Sequence, residues 1–365
     1  MNKKLLAVAI SGALTAPMAA HAVKYKLSGQ INRAVVFLDD DIATDVHHVD
    51  NVSSGTRVRL KGSEDIGGGM KVGMNWEWQN SSNPGNGGAR LKSGDYGRAE
   101  AIRQAEVWFS GSWGKLSIGQ GDGAGNGTTE VDLSDVWNAG VYSGRTSFGA
   151  SLPWRTSMGN GITTGGAATA NAGNLITAGG KANTALVTHG STFSNFDAFS
   201  RYDRVRYDTP AIGPVKIAAS VGNNEKWEVA ARLNTALGGG KLSAAMFYGS
   251  SAGIDDRFGG SASYLFSQGT NVTFHYATND PGGAATDADV IYFKLGHKWG
   301  NNAVGIAYGE ASDVVAGMDD SGWAIGFNHN IPKAKVDIYA SYHHHELDTI
   351  PGKPSVGDQS AFVVG

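Results

Sequence analysis

Hydrophobic and polar residues alternate along most of this chain, most clearly from Thr56 to Gln79, TRVRLKGSEDIGGGMKVGMNWEWQ. In the first arm Val58 and Leu60 alternate with Arg57, Arg59 and Lys61. In the second, Met70, Val72, Met74, Trp76 and Trp78 alternate with Lys71, Gly73, Asn75, Glu77 and Gln79. A period of two sends successive side chains to opposite faces of a strand, so each arm has one apolar and one charged face. Between the arms, Glu64 to Gly69 ends in consecutive glycines that can take positive φ, which predicts the turn of a β-hairpin. Trp76 and Trp78 close the apolar face as an aromatic girdle does at a bilayer interface. That favours lipid over a second sheet as the surface this face meets.

The same plan predicts about sixteen strands of roughly 8–12 residues, long enough to cross a bilayer when tilted. The first is Val23 to Leu38, whose parity slips at Arg33 and predicts a bulge or a change of face there. The hairpin supplies the second and third, and Ala101 to Gly111 and Lys115 to Gln120 the fourth and fifth. After a long interruption, Tyr202 to Thr209 sets Arg204, Arg206 and Asp208 opposite Val205 and Tyr207. From Pro214 the hairpins are regular and run to a last strand, Asp358 to Gly365. One of them sets Trp227, Val229, Ala231 and Leu233 against Glu228, Arg232 and Asn234. Every second connection is short, as at Gly238 to Gly240 and Gly300 to Asn302, and most of the others are longer and polar. Short turns on one rim and long loops on the other are the plan of an outer-membrane barrel.

The first residues carry Lys3 and Lys4, an apolar run from Leu5 to Leu14, then Ala20-His21-Ala22. Residues 1–22 therefore read as a secretory signal peptide, because the run is too short to be a spanning anchor. Without its two lysines the formal net charge of −3 becomes −5, so there is no basic surplus suited to nucleic acid. Beyond the leader no run of about 18 apolar residues occurs, so no helix is expected to cross a membrane. The chain has 53 glycines, which suit many turns, and no cysteine. An exported chain without disulfides needs another source of stability, and a closed hydrogen-bonded barrel supplies it.

Three stretches, in this order and at these spacings, resemble the trimeric, sixteen-stranded general porins of Gram-negative bacteria. GSEDIGGGMKVG at Gly62 to Gly73 is similar to their second hairpin. VWFSGSWGKLSIGQ at Val107 to Gln120 is similar to their fourth and fifth strands, and RVRYDTP at Arg204 to Pro210 to their sixth strand and turn. The resemblance covers residues 23–365 and implies an all-β fold: a transmembrane antiparallel β-barrel with a long third loop folded into the lumen. It implies a homotrimer in the outer-membrane lipid that passes small hydrophilic solutes and ions without cofactor or catalysis. Here that loop, Gly121 to Arg201, is far longer than is usual in the family. Family members end on a complete strand with a terminal aromatic residue, whereas this chain stops at Ala361-Phe362-Val363-Val364-Gly365. A truncated last strand is expected to leave the seam with the first strand only partly hydrogen-bonded.

The resemblance also implies that the loop brings acids to the narrowest point, here Glu130, Asp132 and Asp135 in EVDLSD. Its middle, Gly159 to Thr184, is low in complexity and is expected to be mobile or extracellular. Arg57, Arg59 and Lys61 belong on the lumen side by alternation, since Arg or Lys at the bilayer midplane costs roughly 2–4 kcal/mol. Arg103 matches the family's inward arginine, although its strand alternates poorly and leaves the register open. Arg204, Arg206 and Arg232 are further lumen-facing candidates. Acids on one side and arginines on the other set a transverse field that sorts ions and orients dipolar solutes.

The residues leave three readings open: a general diffusion channel, a solute-specific channel for anions or organic acids, and an exported β-rich adhesin or binding protein. Other signals are weak. Gly119 to Ala124 fits G-x-G-x-x-A, but no amphipathic helix follows it. No G-x-S-x-G elbow occurs. His47-His48 and His343-His344-His345 read as solvated histidines at strand ends rather than as metal ligands.

Overall fold

The computed structural model describes residues 24–85, 99–144, 147–162, 168–169, 186–283, 285–349 and 355–365. The leader lies outside them, as does most of Gly159 to Thr184. The strands are β1 Lys24–Gln30, β2 Arg33–Asp39, β3 Thr44–Asp50, β4 Arg57–Gly67, β5 Met70–Ser81, β6 Ala99–Gly111 and β7 Gly114–Asp122. A small pair follows, β8 Gly161–Ile162 and β9 Ala168–Thr169. Then come β10 Arg201–Asp208, β11 Val215–Gly222, β12 Trp227–Leu237, β13 Gly240–Ser251, β14 Ile254–Leu265 and β15 Thr270–Asp280. The last are β16 Ala288–Trp299, β17 Asn302–Val315, β18 Met318–Ile331, β19 Val336–Thr349 and β20 Gln359–Val364. Apart from the β8–β9 pair, these form one 18-stranded antiparallel sheet.

The ring closes through the first strand, which breaks at 31–32 beside the parity slip at Arg33. Its first half, β1, pairs with β4, and its second half, β2, pairs with both β20 and β3. Eighteen strands rather than about sixteen follow from that break and from β3. The sequence of β3, TDVHHVD, is too polar to announce a strand, and it forms because β2 offers it a backbone edge.

Alternation holds almost throughout. The outward row exposes Val229, Met246, Ile291, Leu295, Ile306 and Ile325 in its middle. Trp227, Tyr248, Tyr276, Tyr308 and Trp323 lie near one rim, and Trp113, Tyr207, Phe266 and Trp299 near the other. Aromatic belts flanking an aliphatic band are the arrangement lipid selects, because the rings sit at headgroup depth with their polar tips wet. Tyr276 accordingly donates to Asp289 at 2.7 Å, at the rim. Among the described residues no second sheet covers this row, so the adhesin reading lacks the packing it requires. No described helix is long and apolar enough to cross a membrane.

Two expectations about turns need correction. The opening hairpin turns at Gly68-Gly69, with a bulge between Asp65 and Gly67, so its strands are longer than the pattern suggested. On the loop rim, β13–β14 and β17–β18 close on two-residue turns, Ala252-Gly253 and Ala316-Gly317. Polar residues there continue the strands beyond the lipid-facing band, where alternation of hydrophobicity no longer marks them.

The described residues between Gly123 and Ser200 enter the barrel and pack against one side of the wall. Val136, Ala139, Val141, Phe148 and Leu152 are buried with Val36, Tyr292, Ala307, Ala324 and Tyr339. Phe193 and Phe196 sit on Ala277, Val290 and Ala311. The wall makes room with small inward residues. At Gly326 a Cβ would lie 2.6 Å from the Val141 side chain, too close for any larger residue. The same cover corrects the reading of the histidine run. His343 and His345 are 1% and 3% exposed beneath the loop, while His344 points outward beside Trp323.

Candidate pore constriction

The described part of the loop packs on one side of the lumen and leaves open space beside β4, β5 and β6. There Glu77 projects inward from β5 and is 4% exposed. Arg57 Nη1 donates to its Oε1 at 3.2 Å and Arg103 Nε to the same oxygen at 2.6 Å, while Arg59 pairs with Oε2. Arg57 and Arg59 are brought together by the period of two along β4. Arg103 arrives by a different route. The β5–β6 register passes from Glu77↔Gln104 to Trp78↔Ile102, so Arg103 is the extra residue of a bulge. A bulge re-aims a side chain, and here it turns Arg103 and Gln104 to the same, inner side. This is why β6 alternates poorly. Arg103 also donates to Gln79 at 3.0 Å. Three guanidiniums thus share one carboxylate, leaving a net positive wall.

Facing this wall is a cavity of about 510 Å³ lined by Arg57, Arg103, Arg201 and Arg257 and, from the loop, by Glu130 and Asp197. Trp137 and Tyr142 stack 4.1 Å apart on its loop side. Arg201 pairs with Asp122 at 2.7 Å. Arg257 lies over the rings of Phe199 and Phe196 and donates to the Ala198 carbonyl at 2.6 Å. Asp197 ties the loop to itself by accepting from the Gly127 and Thr129 N–H groups and from the Thr129 hydroxyl. Burial raises its pKa. Burial, and then the neighbouring Asp197 carboxylate, push Glu130 up to about 8, although Asn195 donates to it at 2.9 Å.

The other two acids of EVDLSD face away from the arginines. Asp132 pairs with Lys294 and Asp135 with Lys298, both inward on β16. Lys294 is fully buried and also donates to the Val141 carbonyl at 3.1 Å. The intervening backbone is held by two wall serines. The N–H groups of Val131 and Leu133 donate to the hydroxyls of Ser261 and Ser263 at 2.9 and 3.1 Å. Residues two apart on an extended loop meet residues two apart on β14. The geometry therefore sets Glu130 beside the arginines, ties the loop to the wall through the buried Asp132, and leaves Asp135 in a largely exposed pair.

Lys61, Arg204 and Arg206 lie apart from this point, around a second cavity of about 450 Å³ toward the short-turn rim, together with Lys115 and Lys216. Arg204 is paired with Glu106 and Arg206 with Asp208. Arg232 donates to the Asn126 carbonyl at 2.8 Å, bracing the root of the loop. Arg201 and Arg257 escaped the sequence reading. Arg257 shares parity with Gly259, Ser261 and Ser263, a row without an apolar residue, and that parity was the available signal. Arg201 sits where loop becomes strand, and no periodicity marks it.

A family model described as Gram-negative porin matches residues 6–349. Outer membrane porin protein 32 of Delftia acidovorans is 32% identical over 123 residues, a match that spans 33% of this chain and 32% of the relative's length. An anion-selective porin from Comamonas acidovorans has a similar fold, with a TM-score of 0.56 at 16% identity over 94% of this chain and 98% of that one. The trimer form of OmpT from Vibrio cholerae gives 0.52 at 14% identity over 94% and 99%.

Proposed function

The chain belongs to the Gram-negative porin family, and on that premise we propose that it forms a water-filled outer-membrane channel, as a homotrimer, that passes small hydrophilic solutes and ions and prefers anions. The observation that carries the sign is the charge inventory at the passage. Arg57, Arg59, Arg103, Arg201 and Arg257 meet Glu77, Asp122 and Asp197, while Glu130, with its pKa raised to about 8, is mostly neutral at pH 7. Guanidiniums stay charged throughout the physiological range, so the excess is positive. Fixed positive charge beside a narrow aqueous path raises anion occupancy and lowers that of cations. No group transfer is needed, and the gradient drives the flux.

The test is single-channel recording in a planar bilayer under a potassium chloride gradient. A reversal potential of anion-selective sign is expected. Absence of conductance steps would sink the channel, and a cation-selective sign would sink the preference. The preference should also fall as pH rises from 6 to 9, because Glu130 gains its negative charge as pH passes its raised pKa near 8. Glu130→Gln should abolish that step. A wild-type selectivity that is flat over the same range would show that Glu130 does not ionise there.

A further inference from the structure

Beneath the outer part of the loop lies a group of side chains that the passage of ions does not use. His189 opens the short helix α1, His189–Thr192, on the loop; Asp320 projects inward from β18 and His345 from β19. Their exposures are 1%, 0% and 3%. His189 Nδ1 lies 2.9 Å from the Asp320 carboxylate, and the rings of His189 and His345 are 3.9 Å apart. One ligand atom from each of the three lies within 4.8 Å of the other two. Two buried polar atoms here, His189 Nε2 and Asp320 Oδ1, have no hydrogen-bond partner among the described residues. A buried pair of that kind calls for a missing group.

We propose that His189, Asp320 and His345 bind a zinc ion, which fastens the constriction loop to the barrel wall near the loop rim. Two imidazoles and a carboxylate are a donor set zinc takes, whereas calcium and magnesium require mostly oxygen. With bonds of about 2.0–2.2 Å, neighbouring ligand atoms on tetrahedral zinc lie ~3.4 Å apart. The three ligand atoms, with 2.9 Å between His189 Nδ1 and Asp320 and all within 4.8 Å of one another, bracket that spacing. An outer layer already orients the carboxylate: Thr192 Oγ1 donates to Asp320 at 2.6 Å and receives the Trp154 indole N–H at 3.1 Å. The ion would join residue 189 to residues 320 and 345, far apart in sequence, and so close a long loop. The inference is independent of the sign of ion selectivity.

The experiment strips the folded, detergent-solubilised protein with EDTA, dialyses it against micromolar zinc chloride and counts bound metal by mass spectrometry. Cobalt substitution reports the ligand field by visible absorption. One zinc per chain is expected, with an intense tetrahedral cobalt band and a raised unfolding temperature. In His189→Ala, His345→Ala and Asp320→Asn, affinity should fall at least tenfold and the thermal shift should vanish. Asp320→Asn is isosteric and still accepts from Thr192, so its loss of metal cannot be assigned to misfolding. The proposal is overturned if the wild type binds no zinc or if these variants keep it. It is also overturned if only His344→Ala loses it, which would move the ion to the half-buried His344 with the exposed Glu346 and Asp358.

Discussion

Arg103→Glu is expected to turn the proposed anion preference into a preference for cations. Arg103 both lines the narrow cavity and holds Glu77 at 2.6 Å, so the substitution removes one positive charge and adds a negative one at the same point. A unit charge about 5 Å from a passing ion is worth about 0.8 kcal/mol even at the dielectric constant of bulk water. Two charge units, acting in opposite senses on anion and cation, separate the two by roughly 3 kcal/mol before screening. The screening length of about 10 Å at 0.1 M salt exceeds this distance, so most of the effect survives. The permeability ratio should therefore move by more than about tenfold at 0.1 M, and by less at 1 M. Lys216→Glu makes the same charge change in the separate cavity toward the short-turn rim and should move the ratio far less. Equal shifts in the two variants, or an unchanged reversal potential in Arg103→Glu, would place the selective point elsewhere.

What could be read beforehand followed from the two solvents of a barrel strand. Val58 against Arg57 and Arg59, or Trp227 and Val229 against Glu228, are local contrasts, and the structure turns each member to the side its chemistry requires. Where the contrast is weak, so was the reading. β3 has little apolar character to expose, and β6 hides its order behind the bulge at Arg103. The loop was harder because its partners are remote in sequence. EVDLSD shows acids, but nothing local says that Asp132 and Asp135 meet Lys294 and Lys298 while Glu130 lines the arginine cavity. The lysines did carry a trace. In VIYFKLGHK they share parity with Tyr292 and Gly296, which puts them inside. His343 and His345 looked solvated because a lumen-facing position is wet until something covers it, and the cover comes from Ala139, Phe148 and His189, far earlier in the chain.

Lys294→Met tests whether the loop is packed on the wall or merely lies in lumenal water. Lys294 is fully buried and its partner Asp132 is nearly so, with side-chain exposures of 0% and 7%. Removing one member of a buried pair leaves an uncompensated charge and costs about 3–5 kcal/mol, whereas an exposed pair is worth about 0–1 kcal/mol. Urea unfolding of Lys294→Met should therefore show a loss of several kcal/mol, accompanied by excess current noise as the loop leaves β16. Asp132 keeps the Ser134 N–H and hydroxyl at 2.9 and 3.0 Å, so Asp132→Asn in the same chain retains local partners without the charge. The double variant should recover most of the stability, because what harms the single variant is the unpaired carboxylate rather than the absent amine. The internal standard is four residues along the same strand. Lys298 pairs with Asp135, but that carboxylate is 62% exposed, so Lys298→Met should cost less than about 1 kcal/mol. If the two lysine variants lost equal stability, Lys294 would be solvated, the loop would have to float, and the narrowness of the passage would need another cause than a loop fixed to β16.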